Sequence, residues 1–299
     1  MDFLKDRAYP LLKELSEHWQ DLLIKRPDGS LTTPKTSSPE HGPTQYGIAQ
    51  DRQMVYDLLT NYRAAAARLK RDAGFSRQVE DLRTRIVPPQ IGRWGQLQEW
   101  ETDEDSRYCR HRHMMHEFAA FPGRQINPVD TPELTAAAIK SLEARGGGGA
   151  GWSVAWRISL YARLHRPDLA YRALSSVVGS FHDNLIWEGW SQIDAPCGYA
   201  SGVCEVLLQS YRPLDDDNSR YEIELLPALP KDWPTGSVKG LRARGGFEVD
   251  IEWQDGKLTR ATIRNVSSPT GKCVVRYQER VTKLSVPRGE SREFKGDAR

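Results

Sequence analysis

Cysteine is scarce in this 299-residue chain, which has only Cys109, Cys197, Cys204 and Cys273. No two of them form a C-x-x-C pair or a metal-ligand spacing, so free buried thiols are expected rather than a disulfide framework or a metal. Long apolar runs are also missing. No stretch approaches the ~20 residues a membrane helix needs, so no membrane partner is expected. Excess charge is missing too: 42 Lys and Arg face 40 Asp and Glu, leaving +2. With no basic stripe interleaved with aromatics, a nucleic-acid partner is not expected. The glycines from Gly146 to Gly149 lack the Lys-Ser/Thr ending of a phosphate loop, which argues against nucleotide binding. No leader is visible. Met1 runs into Asp2-Phe3-Leu4-Lys5-Asp6, which reads as uncapped helix interior. That start suggests a chain beginning inside a larger fold, and it leaves localisation open.

What is present fits a globular protein: 38% hydrophobic and 27% charged residues, with a length that suggests two domains. Nine Trp and eleven Tyr suit carbohydrate rings as well as core packing. Apolar positions recur at helical spacing over residues 2–24 and 50–70, and shorter helices are expected at 75–86, 152–165, 167–182 and 198–211. Thr131-Pro132-Glu133 reads as a cap and first turn of a helix running to Arg145. Pro88 to Gly123 reads as irregular, and Asp215-Asp216-Asp217-Asn218 as a solvated link. Beyond it the period changes. Phe247 to Trp253 alternate as a half-buried strand, Asp255-Gly256 signals a hairpin, and Leu258 to Ile263, Cys273 to Tyr277 and Val281 to Val286 supply further strands. The expected fold class is α + β multidomain. Residues 1–212 would form part of an (α/α)6 toroid carrying the site, and residues 213–299 a small antiparallel, sandwich-like β domain. Some seven helices cannot close a twelve-helix toroid, a second sign of truncation.

Two carboxylates stand out. Glu40 lies in Ser37-Ser38-Pro39-Glu40-His41-Gly42-Pro43, and Asp194 in Trp190-Ser191-Gln192-Ile193-Asp194-Ala195-Pro196. Both fall in loops at the ends of predicted helices, among residues that stack on or hydrogen-bond sugars. Two carboxyl groups across one cleft are what glycosidic-bond hydrolysis needs, one holding a proton and one helping a water attack. A proton-holding Glu40 calls for partial burial among apolar groups. The competing readings are a helix-entry carboxylate for Glu40 and a helix cap for Asp194. His111, His113 and His116 do not share one helix face, so hydrogen bonding of sugar hydroxyls or packing is favoured over a metal. Gln98 and Glu99 suit either a cleft lining or a buried polar network. Trp94, Trp100 and Trp152 suit either a stacking platform or a core.

Six segments then resemble, in order, glycoside hydrolase family 95, the inverting α-L-fucosidases and related α-L-galactosidases. They are Ser38-Pro39-Glu40-His41-Gly42; Ile91 to Trp100 with its GQLQEW; His111-Arg112-His113-Met114-Met115-His116 followed by Phe121-Pro122-Gly123; Gly151 to Trp156; Leu225 to Pro230; and Gly236 to Asp250. The resemblance implies cleavage of terminal α-L-fucosyl or α-L-galactosyl residues with inversion. Glu40 would be the general acid and Asp194 the partner on the water side. His41, Gln98, Glu99, Trp100, His111, His113, His116 and Trp152 are candidate substrate-binding residues. Two carboxyls supply the acid–base work, so no cofactor and no metal is expected. The partner would be an oligosaccharide or glycan, with self-association through exposed toroid faces. The resemblance also marks departures. The family's Gly-Asn after the aspartate is Ala195-Pro196 here, and its water-polarising asparagines have no counterpart. The alternative is therefore a degenerate carbohydrate-binding remnant, or a fragment lacking half of its active site.

Overall fold

The computed structural model describes residues 2–149, 151–179, 182 and 192–296. Trp190 and Ser191 lie outside them, and the helix expected to reach residue 182 ends at Val178. The chain divides into two compact units, residues 1–148 with 216–218, and residues 149–215 with 219–299. This most compact division falls near residue 148, whereas composition and period suggest a change near 212.

In the first unit a π-helical turn (Leu4–Ala8) leads into α1 (Tyr9–Leu22). Pro10 sits in the first turn of α1, where its missing N–H has no helical partner to lose. Two short hairpins follow: β1 (Ile24–Lys25) with β2 (Leu31–Thr32), and β3 (Thr36–Ser37) with β4 (Thr44–Gln45). These two-residue strands carry too little alternation for a period to reveal. Helices α2 (Ala49–Leu69) and α3 (Ala73–Arg85) pack with α1 around Tyr9, Val55, Leu59, Tyr62, Ala65, Ala66 and Val79. Tyr9 stacks on Tyr62 with ring centroids 5.8 Å apart, and its hydroxyl donates to Asp72 at 2.6 Å.

Residues 88–131 are irregular apart from an isolated antiparallel bridge between Ile91 and Leu97 and a 3-10 turn at Met115–Glu117. Helix α4 (Pro132–Arg145) starts where expected, but Thr131 does not cap it. Its hydroxyl instead accepts the Asn127 N–H at 2.8 Å, closing the loop before the helix.

The second unit holds α5 (Gly151–Arg163), α6 (Pro167–Val178) and α7 (Asp194–Leu207). Helices α5 and α7 approach closely because Gly202 has no side chain, and a Cβ there would stand 2.5 Å from Ile158 Cγ2. The strands are β5 (Leu208–Gln209), β6 (Glu222–Leu225), β7 (Gly236–Ala243), β8 (Phe247–Gln254), β9 (Lys257–Asn265), β10 (Lys272–Tyr277), β11 (Arg280–Ser285) and β12 (Ser291–Lys295). They form two four-stranded sheets, in the orders β12-β9-β8-β7 and β11-β10-β6-β5. Asp255 and Gly256 both take positive φ, 53° and 71°, the geometry of the tight turn their sequence announces. Val249, Ile251 and Trp253 alternate inward as their spacing requires.

One pairing departs from the antiparallel expectation: β6 runs parallel to β10, with Glu222 opposite Val274. A parallel pair needs a long connection, and the strands β7 to β9 supply it by building the other sheet. Tyr277 links the sheets, its hydroxyl accepting the Leu258 N–H at 3.0 Å.

Candidate active site

Glu40 sits in the turn of a hairpin, not at a helix entry. The pairs Thr36–Gln45 and Ser37–Thr44 close a loop over residues 38–43, and the His41 N–H returns to the Ser38 carbonyl at 3.0 Å. Gly42 takes φ +79°, and a Cβ there would stand 2.2 Å from the Trp100 ring. Only glycine allows both the turn and that approach. The Glu40 side chain is 60% exposed and therefore not enclosed by apolar groups. Its Oε2 takes the Arg112 guanidinium and lies 3.5 Å from His113 Nε2.

Beside Glu40 stands a short stack of imidazoles. His41 lies 4.0 Å from His111 between ring centroids, and His111 lies 5.1 Å from His113, nearly parallel at 15°. Burial, aided by the neighbouring His41 and His113, pushes the His111 pKa down to about 4. Burial also lowers that of His113, against the pull of Glu40. Neutral imidazoles both donate and accept hydrogen bonds, which suits sugar hydroxyls.

Underneath lies a buried charge cluster. Glu99 is fully buried. Its Oε1 takes the Ser38 hydroxyl and lies 3.2 Å from His41 Nε2, and its Oε2 takes the Arg145 guanidinium. Burial pushes the Glu99 carboxyl up, but His116, His41 and Arg145 outweigh it and hold the group well below the usual carboxylate range. Glu117 is equally buried, with neither oxygen hydrogen-bonded, and burial drives its pKa well above the ordinary value. His116 lies between them, 3.6 Å from Glu99 and 3.7 Å from Glu117. Asp105 accepts the Glu99 N–H at 3.1 Å, and burial pushes its pKa up to about 6.

The structure thus brings Glu40, His41, His111 and His113 together at the surface. Gln98, Glu99, Trp100 and His116 lie beneath, at most 7% exposed. Gln98 uses its amide to tie the Trp100 and Glu101 carbonyls at 2.7 and 2.8 Å. As placed, these four are buried, and Trp100 and His116 line a small cavity together with Asp105 and Arg145. Gln98 and Glu99 make buried polar contacts, and the Trp100 ring packs against Gly42.

Trp152 and Asp194 belong to the other unit. Trp152 is half-buried in the first turn of α5. Asp194 is exposed and opens α7, four residues earlier than the helix expected from Gly198. Pro196 is accommodated because it falls in that helix's first turn, where an N–H is dispensable. Among the described residues, no group of three His, Cys, Asp or Glu is arranged to hold a metal.

Residues that sequence reasoning passed over are Ser38, Arg112, Asp105, Glu117 and Arg145. Ser38 and Arg112 lie inside the recognised motifs, so their positions were signalled though their partners were not. Arg145 had no signal beyond ending a helix.

Comparison with known proteins gives a consistent answer. Residues 1–207 match the "Glycosyl hydrolase family 95 catalytic domain" and residues 218–297 the "Glycoside hydrolase family 95, C-terminal domain". The chain is 34% identical over 281 residues to "Alpha-L-fucosidase 2" of Arabidopsis thaliana, covering 86% of this chain and 32% of that protein. It is 31% identical over 290 residues to "Probable alpha-fucosidase A" of Aspergillus niger, covering 88% of this chain and 36% of that protein. The chain therefore spans about a third of the length of these curated relatives. A solved structure, "Putative kojibiose phosphorylase from human microbiome", superimposes with a TM-score of 0.61 at 10% identity. That likeness, over 98% of this chain and 42% of the other, concerns the fold alone.

Proposed function

The chain belongs to glycoside hydrolase family 95, and on that premise we propose that it carries the acid-bearing part of an α-L-fucosidase-type active site. The reaction is hydrolysis of terminal α-L-fucosyl or α-L-galactosyl residues with inversion. Its helices belong to part of an (α/α)6 toroid, a reading supported by the mixed helical and β architecture and by the phosphorylase-like fold. The functional boundary lies near residue 212, with the site on the helical side.

Glu40 protonates the glycosidic oxygen as the bond breaks, and Asp194 is the carboxylate that orients the attacking water, the two roles an inverting hydrolysis divides between a pair of acids. His41, His111 and His113 hydrogen-bond the sugar, and Trp152 stacks near it. Gln98, Glu99, Trp100 and His116 act from beneath. The observation that carries this reading is the Glu40 carboxyl itself: exposed on a tight turn, beside a stack of imidazoles, and braced from below. Arg112, 43% exposed, must swing off Oε2 before a glycosidic oxygen reaches that atom.

The test is release of L-fucose from 4-nitrophenyl α-L-fucoside or a fucosyllactose by this chain and by Glu40→Gln. Hydrolysis by the native chain, with β-L-fucose as the first-formed anomer by NMR, supports the proposal. Equal rates in both chains overturn it. A second reading, a glycan-binding remnant, is favoured by the Arg112 ion pair on Glu40 and by the Ala195-Pro196 turn. It predicts binding of fucosyllactose without turnover.

A further inference from the structure

Glu40 stands between two residues tied to one buried carboxylate. Two positions before it, the Ser38 hydroxyl donates to Glu99 Oε1; one position after it, His41 Nε2 lies 3.2 Å from the same oxygen. Glu99 is itself fixed from several sides. Its N–H donates to Asp105, its carbonyl accepts the Ala49 N–H at 3.0 Å where α2 begins, and its Oε2 takes Arg145 from the end of α4. Ser38 and Glu99 are fully buried, while Glu40 between the tethers is exposed.

A carboxylate sealed from solvent cannot touch a sugar. One that accepts hydrogen bonds on both sides of an exposed acid fixes the backbone from which that acid projects. We infer that Glu99 is the positioning residue for Glu40. Ionised, it clamps Ser38 and His41 so that the carboxyl between them keeps one direction, and Arg145 is the counter-charge that lets the clamp remain ionised while buried. The Trp100 ring against Gly42 sets the shape of the turn, but it offers the Ser38 and His41 side chains no acceptor.

This assignment rests on the reading of Glu40 as proton donor. A general acid must come within ~2.6–3.2 Å of the oxygen it protonates, and a misplacement of about 1 Å lowers the rate about 10²-fold. Only an acceptor-only group of carboxylate geometry serves both tethers and Arg145 at once. An amide turns one of its two positions into a donor.

The experiment compares the native chain with Glu99→Gln and Ser38→Ala by amide hydrogen exchange and by kinetics. Glu99→Gln leaves Arg145 without its acid and lowers the melting temperature, so Ser38→Ala, which keeps that pair, is the deciding variant. The expected result is about tenfold faster exchange across residues 38–42 in Ser38→Ala, and more in Glu99→Gln. Exchange in α1 to α3 stays native in Ser38→Ala. Turnover falls about tenfold or more in kcat while KM moves little, as loss of orientation requires.

Unchanged exchange at 38–42 in both variants overturns the inference whatever the activity. So does an unchanged kcat in an active chain. If the native chain shows no turnover while Ser38→Ala loosens residues 38–42 alone, the clamp stands and the glycosidase reading is what fails.

Discussion

The segments around Glu40 and Asp194 carry the same chemical group and hold it by different means. Around Glu40 the support is lateral: a hairpin turn, an aromatic ring against a glycine, and a buried carboxylate bound to residues distant in sequence. Around Asp194 the support is the start of a helix, with no side-chain cap and an exposed acid in the first turn. The first arrangement can aim a side chain, because several independent contacts fix the backbone on both sides of it. The second places a charge favourably with respect to the helix dipole but leaves the side chain's direction to its surroundings.

The largest expected effect that sharpens this contrast is chemical. Glu40→Gln should lower fucoside hydrolysis by about 10² or more, the scale of a lost general acid, as read from released 4-nitrophenol. The next is structural. Glu99→Ala leaves Arg145 and His116 buried without their acid, at a cost of about 3–5 kcal/mol in denaturant unfolding. No comparable loss is expected at exposed Asp194, and an equal loss there would break the comparison.

Two titrations act in opposite directions. Asp105, pushed up to about 6 by burial, favours the folded state while protonated. Stability should therefore decline as pH rises from the ordinary Asp value through 6, by on the order of 3 kcal/mol. Asp105→Asn should flatten that decline in melts between pH 4 and 7. His111, pushed down to about 4, must stay neutral in the folded chain. Stability should fall as pH drops from 6.5 through 4, because the unfolded chain takes up the proton first. His111→Gln should remove that acid limb. The smallest effect is at the other carboxylate. Asp194→Asn should cost only about 0.3–1 kcal/mol of stability, through the helix dipole.

The equally buried pair Glu99 and Glu117 makes the same point over a shorter distance. Both are sealed from water, yet Glu99 is held ionised by His116, His41 and Arg145, while Glu117, whose carboxyl oxygens accept no hydrogen bond, is driven by burial toward its protonated form. Nothing in the spacing of two glutamates on either side of the histidine motif distinguishes them. Likewise the strands β8 and β9 were legible from alternation and from Asp255-Gly256, because their signal is local. The hairpin bearing Glu40 was not, because its strands are two residues long and its stability comes from contacts with residues 99 and 100. The parallel pairing of β6 with β10 was equally hidden, since a strand's own pattern does not tell it which neighbour it will take.

By itself the sequence determined the helices, the strands β8 to β11, the family and the two carboxylates worth watching, because period, turn chemistry and ordered motifs are properties of the chain read locally. Only the tertiary structure decided which polar residues face solvent and which lie beneath, because burial and charge pairing depend on partners brought from other segments. That is why Glu99, Trp100 and His116, which look like cleft residues in the sequence, are found buried, with Glu99 3.2 Å from the His41 imidazole next to Glu40.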